Sequence, residues 1–404
     1  MKDNSLPIWN PHRGNYLEDP YDQLQVLRRE NPIHRGVDGN WILFRYGDVK
    51  NALSSRDFKT LDLAESIASK NCFLPEGKDL NSISSSAAKW LFFTDPPEHT
   101  GLRQAVMNVW AKADFQSVIQ RVVTEAIDNL RGRRSIEVVQ DFAVFIPIKV
   151  ICEILGLPYE DHQILRNWVR AFARTLEPFE SLYDMLDHDK GARAFQEYVR
   201  NSIEEKRRQP DASFISNFLE ENRGLSVPLS DDEMISVFII LFFAGIETTI
   251  SVFSQSILAL VTDKEQLEAF KRVRTPRTAV EEFIRYASPL QYTPRIALKD
   301  LEIGGFTIER SSKVLLSVAA ANRDPEVFAD PESLDVTRHP NPHLSFGHGF
   351  HHCVGAKLAR DEVAAALPAF VETFPRFELA DDHSYEWDNI IVNRSLRSLH
   401  VAIQ

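Results

Sequence analysis

Apolar positions recur at helical spacing over most of the chain, and only short segments alternate residue by residue as half-buried strands do. The pattern predicts a mainly α protein carrying small β elements. Its most legible helix opens at Ser230-Asp231-Asp232-Glu233, a capping box in which a hydroxyl and a carboxylate satisfy the first free amides, and runs to about Asp263 without a proline. Residues Met234 to Ile246 are almost wholly apolar, but Glu247, Thr248 and Thr249 follow within a turn. An apolar run of that length marks a buried core helix more readily than a membrane span. Pro32 to Phe44 reads as a hairpin turning at Asp38-Gly39, a dipeptide that accepts the positive φ of a tight turn, before the apolar run Trp41-Ile42-Leu43-Phe44. Leu301 to Ile308 and Val314 to Val318 read as two further strands joined by a polar turn, with more strand signal at the C-terminus. Between Asn322 and His343, Pro325, Pro331, Pro340 and Pro342 leave few periodic positions, which predicts ordered coil.

No internal repeat or low-complexity linker divides the 404 residues, so one domain spanning 1–404 is expected. Hydrophobic residues at 44% and charged residues at 26% allow a sizeable buried core and argue against wholesale disorder. The formal net charge of −12 argues against a nucleic-acid partner, which needs a basic face. Met1 to Pro7 lacks the apolar core of a signal sequence, so neither secretion nor a membrane anchor is expected. Cys72, Cys152 and Cys353 are odd in number and far apart, which excludes a disulfide framework and a paired-cysteine zinc site and fits a reducing cytoplasm.

The sharpest chemical signal is Phe346-Gly347-His348-Gly349-Phe350-His351-His352-Cys353-Val354-Gly355, followed by a helical run from Ala356 to Phe374. A cysteine just before a helix N-terminus meets free backbone amides and the positive end of the helix dipole, which favour its thiolate. Gly349 and Gly355 would let the main chain approach the sulfur. Taken alone, Cys353 would read as a small buried hydrophobe. The histidines at 339, 343, 348, 351 and 352 also raise a zinc site, although no zinc spacing is present. Upstream, His99 and Arg103 stand one turn apart after Asp95-Pro96-Pro97, as do Glu282 and Arg285. An isolated pair of the second kind would be a solvated surface contact worth about 0.3–0.5 kcal/mol. Ala244-Gly245 removes bulk in mid-helix at a cost of about 1 kcal/mol for the glycine, so some close neighbour is expected there. Thr248, besides any chemistry, can bond back to the preceding turn and bend the helix.

The segment Phe346 to Gly355 resembles the haem-binding signature F-x-x-G-x-H-x-C-x-G of the cytochrome P450 family. His99-x-x-x-Arg103, Ala244-Gly245-Ile246-Glu247-Thr248-Thr249 and Glu282-x-x-Arg285 match further family motifs in the family's order. The resemblance implies a cytochrome P450 fold with haem b between the long central helix and the cysteine-loop helix, and Cys353 as axial ligand of the iron. It implies that His99, Arg103, Arg295 and His351 neutralise the haem propionates, and that Ala244, Gly245, Phe346, Gly349 and Gly355 complete the haem pocket. Glu282, Arg285 and Arg338 would form a structural triad, and Glu247 with Thr248 the proton-delivery pair. The substrate pocket is expected from Ser55 to Lys89, 165–190, Phe242 to Thr249, Leu290 to Pro294 and Ile390 to Asn393. Its named residues are Phe242, Thr249, Leu290, Gln291, Tyr292, Thr293, Ile391, Val392 and Asn393. Ile246, Gly101 and Trp110-Ala111-Lys112 depart from common family residues, and Ile246 puts the polar network of the distal pocket in doubt.

The implied activity is insertion of one oxygen atom from O2 into a lipophilic small molecule of terpenoid, fatty-acyl or polyketide-like skeleton, as in secondary metabolism. NAD(P)H would act indirectly, through a ferredoxin reductase and a ferredoxin that meets Lys112, Lys357 and Arg360, and the chain is expected to be a monomer. A peroxide-driven hydroxylase is an alternative, disfavoured by Glu247-Thr248, and a haem carrier or sensor without turnover is another.

Overall fold

A computed structural model describes residues 6–177, 180–273, 276–381 and 384–404. Its centre is the helix Asp231–Thr262, whose 32 residues give a length of about 48 Å. The capping box forms: Ser230 N donates to Glu233 Oε2 at 2.9 Å, and Glu233 N donates to Ser230 Oγ at 3.4 Å. A helix that is apolar all round must be surrounded by protein or lipid. Here Met234 to Phe242 are buried by Phe214, Phe218 and Phe195 from the flanking helices Phe214–Arg223 and Leu182–Arg208, so the apolar run is the core of the fold. The burial stops at Phe243 to Gly245, where the helix meets a cavity.

A five-stranded sheet closes another side. Strands Ile33–Arg35 and Trp41–Leu43 form the expected hairpin, with Gly39 at φ +77°. Trp41–Leu43 pairs in parallel with Lys313–Ser317, which pairs antiparallel with Tyr292–Ala297, and Phe58–Lys59 completes the edge. The single strand expected over 301–308 is corrected to two. Leu301–Ile303 and Phe306–Ile308 pair with each other about Gly304 and Gly305, both at positive φ, which leaves Lys313–Ser317 to the larger sheet and Val318 to a short helix, Val318–Ala321. The C-terminal strand Leu396–Ile403 belongs to a separate sheet with Ser135–Glu137, Phe377–Leu379 and Tyr385–Trp387.

The stretch from Asn322 to His343 is ordered coil, and one buried carboxylate organises it. Glu282, on the helix Pro276–Ala287, accepts two bonds of 2.7 Å from Arg285 and two of 3.1 Å from Arg338. Asp335 N and Asn341 Nδ2 add bonds of 2.8 and 3.0 Å. Arg285 spends its remaining donors on the carbonyls of Asn322, Pro331 and Ser333. Both Glu282 and Arg285 are fully buried, so this is no surface pair. From this knot Asn322 reaches the cysteine loop, accepting Leu344 N at 2.7 Å and donating to Ser345 Oγ at 2.8 Å.

Candidate active site

The cysteine loop folds back on itself before the helix Ala356–Thr373, with Gly347 N bonded to Leu344 O at 2.8 Å and Cys353 N to Phe346 O at 2.9 Å. Gly347 and Gly349 hold φ of +71° and +73°, a region that glycine occupies without steric penalty. The role expected for Gly349 is corrected: an added Cβ there would lie 3.0 Å from Ser54 Cα and 3.2 Å from Leu53 O, so it makes room for the helix Tyr46–Ser54. Gly355 is the glycine beside the sulfur, 3.9 Å from Cys353 Sγ to an added Cβ. Cys353 lines the cavity and exposes its side chain there. Burial pushes its thiol up, while the Gly355 amide, Arg103 and Arg360 pull the other way. The helix end alone therefore does not secure the thiolate. A bound metal cation would.

The central helix presents Ala244, Gly245, Glu247, Thr248 and Thr249 to the same cavity. No protein neighbour forces glycine at 245, since an added Cβ would make only an ordinary 3.8 Å contact with Ile151. Thr248 Oγ1 donates to Ala244 O at 3.1 Å, bonding back as a mid-helix threonine can, and its lone pairs stay free to accept. Glu247 is enclosed, its Oε1 without a hydrogen-bond partner among the described residues. Burial raises its carboxyl, opposed by Arg166 and Arg170 on the helix His162–Thr175.

His99, Arg103, Arg295 and His351 converge on one margin of the cavity. The His99 and His351 rings are 4.4 Å apart, and burial with the fields of His351 and Arg103 lowers His99 to about 4. Neither ring nitrogen of His351 has a hydrogen-bond partner among the described residues; the nearest carboxylate, Asp95, is 3.6 Å away and already bonded to Thr60. Arg295 is buried, bonded among the described residues to Thr293 Oγ1 and Pro294 O, and desolvation lowers it to about 10. Two arginines and two histidines gathered near the single carboxylate Asp95 favour an anionic guest. A flat dianionic macrocycle with a thiolate-seeking metal fits these residues.

Thr249, Leu290, Thr293, Val392 and Asn393 line the cavity as expected, while four other predicted pocket residues do not. Phe242 turns to Phe195 at 5.7 Å, and Ile391 packs in a separate core with Tyr16. Tyr292 contacts the Tyr16 hydroxyl and lies 5.2 Å from the Trp9 ring, because strand neighbours face opposite ways and Thr293 and Arg295 take the cavity side. Gln291 is tied to Ser288 O at 2.7 Å. Nothing from Ser55 to Lys89 reaches the cavity; its wall begins one residue later, at Trp90. Trp90 stacks on Phe243 at 5.5 Å and meets Phe172 edge-on at 5.5 Å, and Phe93 lies beside it. The non-periodic aromatic run Trp90-Leu91-Phe92-Phe93 was the available signal. From 165–190, Ala173 and Leu176 contribute, and Pro178 and Phe179 lie outside the described residues. The three cations expected to meet a ferredoxin each have an acidic neighbour. Lys357 pairs with Asp361, Lys112 lies 3.9 Å from Glu221, and Arg360 makes a two-point contact with Glu281, so none is an unpaired charge.

This fold, with a cysteine loop lining the same cavity as an acid and an alcohol of the central helix, defines a haem-thiolate oxidoreductase, and the family model for cytochrome P450 matches residues 60–275 and 267–387. The chain belongs to the cytochrome P450 family and is an oxidoreductase of its bacterial monooxygenase class. A biotin biosynthesis cytochrome P450 of Bacillus subtilis (strain 168) is 32% identical over 383 residues, 93% of each chain. The polyketide biosynthesis cytochrome P450 PksS of the same strain is 31% identical over 415 residues, 98% of each chain. The solved structure of P450BioI in complex with hexadec-9Z-enoic acid ligated acyl carrier protein gives a TM-score of 0.87 at 31% identity, covering 96% of this chain and 99% of that one.

Proposed function

We propose that this enzyme inserts one oxygen atom of O2 into a lipophilic small molecule, by hydroxylation or epoxidation, in the cytoplasm and as a monomer. NAD(P)H supplies the electrons through a ferredoxin reductase and a ferredoxin. The observation that carries the reading is that Cys353 and the Glu247-Thr248 pair line one and the same apolar cavity. Cys353 would hold the haem iron through its sulfur, His99, Arg103, Arg295 and His351 would neutralise the propionates, and Ala244, Gly245, Phe346 and Gly355 would border the macrocycle. Haem b bound there supplies the activation of O2. Glu247, whose carboxyl burial pushes up, can hold a proton beside the cavity, and the Thr248 hydroxyl can accept it and pass it on. Trp90, Phe93, Phe243 and Leu176 exclude water and favour a terpenoid, fatty-acyl or polyketide-like skeleton, with Asn393 as a polar anchor. The relatives that make biotin and polyketides support that class.

The test supplies the haem-loaded enzyme with NAD(P)H, a ferredoxin and its reductase, isotopically labelled O2 and hexadec-9Z-enoic acid or testosterone. Product carrying one labelled oxygen is expected, and NAD(P)H oxidation without product from either compound counts against the reading. Thr248→Ala removes only a hydroxyl, so substrate binding should persist while the ratio of product to NAD(P)H oxidised falls by about tenfold or more and hydrogen peroxide rises, within the range that positioned proton donors contribute. Wild-type coupling in that variant would assign proton delivery to water or Thr249.

A further inference from the structure

Val392 and Asn393 of the cavity wall belong to a segment held by a residue that the oxygen chemistry does not use. Glu177 follows the helix His162–Thr175, whose Ala173 and Leu176 line the cavity, and its two carboxyl oxygens receive the backbone amides of Ile391 and Val392 at 2.8 Å each. The same two segments are joined again nearby. Arg170 contacts Asp388 at 2.8 Å, and Arg174 reaches Asp388 at 3.4 Å and the Asn389 carbonyl at 2.9 Å. Glu177 is buried, so its bonds are shielded from water, and that burial pushes its carboxyl up to about 7 against the pull of the two amides and Arg174. What the clamp displays is Asn393, which is nine-tenths buried and lines the cavity, while neither its amide nitrogen nor its amide oxygen has a hydrogen-bond partner among the described residues. A buried amide left unpaired costs about 1–3 kcal/mol, so a partner is expected to arrive with the guest.

We propose that Glu177 is a positioning residue for the substrate: by gripping the Ile391 and Val392 amides it ties the cavity's helical cover to its C-terminal wall and holds Asn393 ready for an uncharged oxygen-bearing group, a carbonyl or hydroxyl, on the lipophilic substrate. This rests on the monooxygenase reading only in taking the cavity as the substrate's. The specificity follows from the chemistry of Asn393, which offers one donor group and one acceptor and no charge. A ligand whose polar end is an ionised carboxylate finds there only half of what it needs.

The experiment uses the haem-loaded enzyme at about pH 8, above the Glu177 value, in the wild type, Glu177→Ala and Glu177→Gln. Hydrogen exchange at the Ile391 and Val392 amides should quicken by roughly tenfold or more in Glu177→Ala and by less in Glu177→Gln, which keeps one acceptor oxygen. Dissociation of 4-phenylimidazole, a probe that sits on the iron beneath this wall, should quicken in the same order. A merely structural residue would lower the melting temperature without setting that rank order in a ligand's release. Exchange unchanged in Glu177→Ala, or raised exchange with unchanged release of the probe, overturns the proposal. Should Glu177→Ala fail to hold haem, Glu177→Gln against wild type decides in the same direction. Loss of the thiolate-type carbon monoxide band in wild type would instead count against the haem-thiolate reading and leave the exchange result to judge the clamp.

Discussion

Replacing Cys353 with alanine should abolish the red-shifted Soret band of the reduced, carbon monoxide-bound protein, because that band reports a thiolate on the iron and no other cysteine can take its place. Cys152 is buried in the helix Phe145–Leu155, where desolvation pushes its thiol up to about 12, and Cys72 sits exposed on a surface turn. Neither lines the cavity that Cys353 lines. The fold should survive the change, since the loop is held by backbone bonds from Gly347 and Cys353 and by Asn322, none of which uses the sulfur. The measurement is therefore paired: the carbon monoxide spectrum for ligation, and far-ultraviolet circular dichroism for the fold. Cys152→Ala is the control, expected to keep the band and to lose roughly 1 kcal/mol of stability, as core truncations of this size do. A Cys353→Ala protein that retained the red-shifted band would remove the axial assignment.

Arg285→Ala should destabilise the protein by about 3–5 kcal/mol, the effect of leaving one partner of a buried ion pair behind. Glu282 would lose two bonds of 2.7 Å and keep only Arg338, Asp335 N and Asn341 around a fully buried carboxylate. The carbonyls of Asn322, Pro331 and Ser333 would lose their donor at the same time. Against a total stability of about 5–15 kcal/mol, a loss of this size should show as a much lower urea midpoint and poor accumulation of haem-loaded enzyme. Arg285→Lys should not rescue, because one ammonium cannot reproduce the flat fork that meets two carboxylate oxygens and three carbonyls. Lys357→Ala supplies the contrast. Its pair with Asp361 is solvent-exposed on the lysine side, so its removal should change stability by no more than about 1 kcal/mol.

The elements most readable from the chain are those whose residues carry their own instructions. Ser230 and Glu233 cap a helix in any context, Asp38-Gly39 accepts the positive φ of its turn, and the prolines between 322 and 343 forbid regular structure, so each was legible in place. The cysteine motif was legible for a related reason, since its glycines, cysteine and following helix are contiguous. The Gly304-Gly305 turn was equally local and was passed over, so 301–308 was read as one strand where two pair about that turn.

By itself, then, the order of residues determined a mainly α fold around one apolar helix and the positions of Cys353, Glu247-Thr248 and the Glu282-Arg285 pair. Only the tertiary structure decided what surrounds them. Lys357, Lys112 and Arg360 look alike in sequence as free cations, and it took neighbours from other segments or turns, Asp361, Glu221 and Glu281, to neutralise them. Tyr292 and Thr293 are adjacent, yet the strand's alternation and the position of Trp9 sent one away from the cavity and the other into it. Glu177 and the Ile391 and Val392 amides stand more than two hundred residues apart, and nothing in the local sequence of either marks the bond. Local steric and capping preferences act over a few residues and can be read along the chain; burial, ion pairing and pKa depend on which distant segments the packing brings within a few ångströms.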